Sequence, residues 1–135
     1  MTDSTDSARD FVRSLAALAE TLADCDIVVR RLHCDWSVFG SWIVEASGGA
    51  AQEKVSEAIR RQAYDEPGPE VFCVTWDARD RRLLLESTPT GAISMSNQWR
   101  ELEARQLDSH DAALVLAEEW LKTRLGARSD RAGEI

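Results

Sequence analysis

The sequence predicts an α+β domain: an antiparallel sheet of four to five strands with helices packed on it, in the order α-β-β-α-β-β-(β)-α. Three observations predict it. Three segments repeat their apolar residues at helical period, β-branched and aromatic runs lie between them, and one pair of those runs flanks a short Asp-rich turn. The composition agrees, since 135 residues with 44% hydrophobic and 30% charged make one globular domain with an adequate core.

Residues 1–6 read as a polar tail and residues 7–126 as the domain. The first helix is predicted from Ser7 as N-cap, with Asp10 three positions later. Phe11, Leu15, Leu18 and Leu22 then follow at steps of 4, 3 and 4 and define its buried stripe. Ile27 to Trp36 and Val38 to Ala46 read as two strands of a hairpin, although Asp35 to Ser37 offers no Asn-Gly or Asp-Gly turn. From Ala50 to Tyr64 the period is helical again, and Glu66, Pro67, Gly68 and Pro69 stop it.

Val71 to Trp76 and Arg82 to Ser87 form the clearest hairpin, around Asp77 to Arg81. The first of these strands is apolar on both faces, which predicts a central position. Ala92 to Met95 fits a short strand, and Trp99 to Leu107 fits either a strand or a helical turn. A last helix runs from an N-cap at Asp108 or Ser109 to Leu125, with Gly126 as its stop, and residues 127–135 read as a polar tail.

Charge narrows the function. Asp and Glu number 24 against 16 Lys and Arg, a net −8, which disfavours a nucleic-acid binder because that affinity comes from clustered cations on phosphates. The excess acid lies in residues 1–26, 50–70 and 91–126, the helix-bearing segments, so the negative field is expected on the helical side, where it steers a basic partner. No apolar run is long enough for a membrane span and residues 1–14 are too polar for a signal peptide, so the expectation is a cytoplasmic chain with no membrane partner, monomeric or homodimeric.

Motifs for chemistry are missing. Cys25, Cys34 and Cys73 are odd in number and lack a CxxC spacing, which argues against disulfides and zinc; Cys34 and Cys73 fall in strand patterns and are expected in the core. His33 and Cys34 alternate faces of one strand and so cannot form a dyad, and cross-strand pairing of His33 with Cys73 is left open by geometry but selected by nothing in the sequence. His110 lies between Asp108 and Asp111 without HxxxH or HExxH, and Asp77 and Asp80 fit a turn better than a catalytic pair. The expectation is no enzyme, no cofactor and no metal, with an enzyme whose site is unrecognised as a further alternative.

Tryptophan stands out instead, with five in the chain. Trp76 and Trp120 fit apolar faces. Trp36, Trp42 and Trp99 lie near strand ends among polar residues, where a large ring either packs or anchors a protein interface. The candidate partner-binding residues are therefore Trp36, Trp42 and Trp99 together with Glu53, Glu57, Asp108 and Asp111, facing a protein with a basic patch.

Val71 to Leu85, VFCVTWDARDRRLLL, followed by Trp99, Arg100, Glu101, Leu102 and the capped last helix, resembles the small immunity proteins of bacterial toxin systems, over residues 71–125. That resemblance implies a single acidic α+β domain that binds and neutralises a cognate toxin, and it carries over no particular residue. The order helix, strands, helix, strands, helix is also similar to the small type III secretion chaperones, which dimerise and hold an effector segment. That family has three strands before its middle helix, whereas this sequence offers one hairpin there.

Overall fold

A computed structural model of the chain describes residues 4–37, 40–49, 57, 60–62, 67–91 and 99–126. It has helix α1 (Ser4–Asp24), strands β1 (Ile27–Asp35), β2 (Ser41–Gly48), β3 (Pro67–Asp77), β4 (Arg82–Gly91) and β5 (Arg100–Gln106), and helix α2 (His110–Leu121), which continues as a π-helical turn over Lys122–Gly126. The five strands form one antiparallel meander, β1-β2-β3-β4-β5, so the fold is α+β. The ambiguous stretch after Trp99 is a strand, and α2 begins one residue after its cap Ser109.

Several boundaries differ from expectation. Helix α1 starts at Ser4 rather than after Ser7, and β2 starts at Ser41, not Val38. The expected helix at Ala50 to Tyr64 falls mostly outside the described residues, although Glu57 and Arg60 are helical and the Arg61 amide donates to the Glu57 carbonyl at 3.1 Å. The expected strand at Ala92 to Met95 and the tail at 127–135 also lie outside them.

Strand alternation explains the core. In register across the sheet run Trp42, Trp76 and Leu83, then Val44, Val74 and Leu85, then Ala46 and Phe72, all on one face. Phe11, Leu15, Leu18 and Leu22 of α1, with Ala113, Ala117, Trp120 and Leu121 of α2, cover that face and join the same buried cluster. Each large side chain so buried contributes roughly 1.5–3 kcal/mol.

The opposite face of β2 and β3 carries Glu45 and Cys73, which are also buried, and β3 holds the central place in the sheet that its two-sided apolar pattern predicts. Glu45 is 4% exposed, and its carboxylate meets the Arg31 Nε of β1 at 2.7 Å. Among the described residues no helix is long and apolar enough to cross a membrane.

The expectation for Cys34 fails here. Leu32 and Cys34 are in register with Val44 and Trp42, yet both are exposed, Leu32 at 40%. Ile27, at the other end of β1, is buried. The strand lies at the sheet edge with a neighbour on one side only, so an apolar pattern that means core in β3 does not in β1.

Candidate binding cleft

Three connections and one helix meet at the end of the sheet. In the β3–β4 turn, the Asp77 carboxylate accepts hydrogen bonds from the amides of Arg79 (3.1 Å) and Asp80 (3.2 Å), the turn chemistry its short side chain suits. Arg81 then takes φ +56°, a left-handed conformation that closes the reversal. The tip is pinned on both sides: the Ala78 amide donates to Ser41 Oγ at 3.0 Å, Gln106 Nε2 donates to the Asp80 carbonyl at 3.0 Å, and the Leu107 amide donates to the Arg81 carbonyl at 2.9 Å. The last two bonds fix the start of α2, where Ser109 caps the helix by accepting the Ala112 amide at 3.1 Å.

In the β1–β2 turn, Asp35 accepts both the Ser37 amide (3.0 Å) and the Ser37 hydroxyl (2.6 Å). Gly40 has φ +80°, and a Cβ there would stand 3.3 Å from Cζ3 of Trp36 and 3.5 Å from Cε1 of Phe11. A side chain here would be strained by the positive φ and would press on the indole, so glycine suits the close approach of Trp36 to the turn. Trp36 thus rests against Phe11, with ring centroids 5.3 Å apart at 52°, and stays 43% exposed.

Between these parts lies a cleft of about 470 Å³. Its aromatic wall is Phe11, Trp36, Trp76 and His110, and its charged groups are Asp10, Asp108, Asp111 and Arg81. Three carboxylates against one guanidinium, among the described residues, leave it at −2 when His110 is neutral. Among the described residues Asp10 has only a 3.9 Å contact with Arg13, both largely exposed, which is worth little.

His110 stacks obliquely on Phe11, at 4.9 Å and 40°, and meets the edge of Trp42 at 6.3 Å and 74°. Its Nε2 and the Trp42 indole N–H are both buried without a hydrogen-bond partner among the described residues. Burial lowers the His110 pKa below its ordinary value, and the neighbouring Asp111 carboxylate opposes that only in part. The cleft hydroxyls are engaged in the backbone: Ser14 donates to the Asp10 carbonyl at 3.0 Å and Ser109 caps α2. No group of three or more His, Cys, Asp or Glu side chains fit to hold a metal occurs among the described residues. What the arrangement offers is an open ring face and carboxylate acceptors.

Of the residues expected to meet a partner, Trp36, Asp108 and Asp111 come together in this cleft. Trp42 does not: at 1% exposed it is the largest fully buried side chain, because its strand position is covered by the helices rather than projecting from a strand end. Trp99 is half-buried beside β5 and Glu57 is exposed after β2; neither lines the cleft, and Glu53 lies outside the described residues. Asp10, Phe11 and Arg81 were missed as site residues. The signal for Asp10 was its place one residue before the buried Phe11, on the rim of the α1 stripe. His33 sits opposite Ile43 while Cys73 sits opposite Glu45, with β2 between their strands, so the two do not pair.

A comparison of the chain with protein-family models, with curated proteins and with solved structures gives no match.

Proposed function

We propose that this chain is a non-enzymatic protein-binding module, an acidic immunity protein that works in the bacterial cytoplasm by holding and neutralising a cognate toxin. The observation that carries the reading is the meeting of Trp36 with Asp108 and Asp111, more than seventy residues further along the sequence, around one open and negatively charged cleft. An exposed ring fixed in place is the usual anchor of a protein interface, and surrounding carboxylates select a basic partner. The net charge of −8 steers that partner from a distance. The resemblance of residues 71–125 to immunity proteins supplies the kind of partner.

The test is to mix the purified chain with the toxin encoded beside it and follow binding kinetics and toxin activity. A stoichiometric complex that abolishes toxicity is expected, with association slowed as salt rises from about 0.05 to 0.3 M and dissociation little changed. A homodimer that ignores the toxin and holds an effector segment overturns this reading in favour of a secretion chaperone. Against that alternative stands the strand order, with two strands before residues 49–66 where that family has three.

A further inference from the structure

Resting on that reading, we propose that the cleft receives an arginine side chain of the partner, its guanidinium lying on the Trp36 indole and paired with the carboxylates of Asp108 and Asp111.

The occupant follows from what the walls lack. An anion is disfavoured by three carboxylates against Arg81, and at the start of α2 the Ala112 and Ala113 amides are already taken by Ser109. An apolar side chain would strip water from the same carboxylates and return no hydrogen bond. A cation satisfies both halves of the cleft, since a ring face and a carboxylate each attract positive charge.

Between the two cationic side chains the wall favours arginine. Trp36 is a flat surface held by Phe11 and by the bare backbone of Gly40, so the indole loses little freedom when a planar group stacks on it. A guanidinium stacks and still directs N–H groups outward in its plane to carboxylates, whereas an ammonium is a compact, strongly hydrated point charge. At about 470 Å³ the cleft is roomier than one side chain requires, which leaves space for the backbone on either side of an arginine in a partner loop. Arg81, the one cation on the wall among the described residues, opposes the occupant and lowers its affinity.

The probes are N-acetyl-arginine amide, its lysine counterpart and its uncharged citrulline counterpart, titrated into the ¹⁵N-labelled chain while the Trp36 indole N–H and the backbone amides of His110 and Asp111 are followed. Saturable shifts with arginine are expected, with binding about fivefold or more weaker for lysine and none for citrulline. Asp108→Asn with Asp111→Asn, at exposed positions that do not endanger folding, should weaken arginine binding about tenfold or more, and Arg81→Gln should strengthen it. Equal shifts with citrulline, no saturation with arginine, or indifference to the paired Asn substitutions overturns the proposal. If it falls while the intact partner still loses affinity on Trp36→Ala, the protein-binding reading stands; if the partner is indifferent to Trp36 as well, both fall.

Discussion

Trp36 and Trp42 stand six residues apart, on either side of one turn, and the protein uses them in opposite ways. Trp42 lies on the helix-covered sheet face near the start of β2, in register with Trp76 and Leu83, and is sealed by α1 and α2. Trp36 lies beyond the end of β1, leaning on Phe11 with its other side open. Phe11 belongs to both regions, since it is part of the buried cluster and also lines the cleft. The same ring chemistry therefore acts as cohesion in one place and as an adhesive surface in the other. What separates them is coverage by a second layer, not hydrophobicity.

The largest expected effect follows from that contrast. Trp42→Ala should destabilise the fold by about 3–5 kcal/mol, read as a lower urea midpoint, because it empties a fully buried site. Trp36→Ala should cost the fold less than about 1 kcal/mol and cost partner binding roughly 2 kcal/mol or more, mostly as faster release. Equal stability losses for the two would erase the distinction between core and cleft.

The other sheet face sharpens the comparison. Arg31→Met leaves the buried Glu45 carboxylate without its 2.7 Å cation and should cost about 1–2 kcal/mol, less than a fully buried pair would because Arg31 is itself exposed. Adding Glu45→Gln should recover part of the loss in a double-mutant cycle.

His110 joins the two regions and gives a pH signature. Its pKa is lowered in the fold, so as pH falls through the ordinary histidine value of about 6.5 the unfolded chain takes the proton first. Stability at this residue is therefore full above that pH and declines below it, until the native imidazole also protonates. Denaturant midpoints between about pH 7.5 and 5 should show a decline in the parent that His110→Phe reduces. The smallest effect concerns the thiols. Cys34 should react fastest with a thiol reagent, Cys25 more slowly, and Cys73 slowest, because Cys34 is exposed while burial pushes the Cys73 pKa up to about 11.

The local elements were legible from the residues themselves. The 4, 3 and 4 spacing of Phe11, Leu15, Leu18 and Leu22 placed the buried stripe of α1, and the two-sided apolar pattern of Val71 to Trp76 placed β3 at the centre of the sheet. The Asp77 turn was likewise readable, because its hydrogen bonds span two and three residues. Period and turn chemistry are properties of neighbours in sequence, so a sequence determines them directly.

Only the tertiary structure decided which apolar residues are covered. Cys34 and Trp36 carry the same local pattern as buried residues, yet β1 is an edge strand and both side chains stay exposed there. The cleft is of the same kind: Asp10, Trp36, Arg81 and Asp108 come from four separate segments and share one space only because bonds such as Gln106 to Asp80 and Ala78 to Ser41 draw those segments together. Exposure and convergence depend on contacts between residues far apart in the chain, and no periodicity within one segment encodes them.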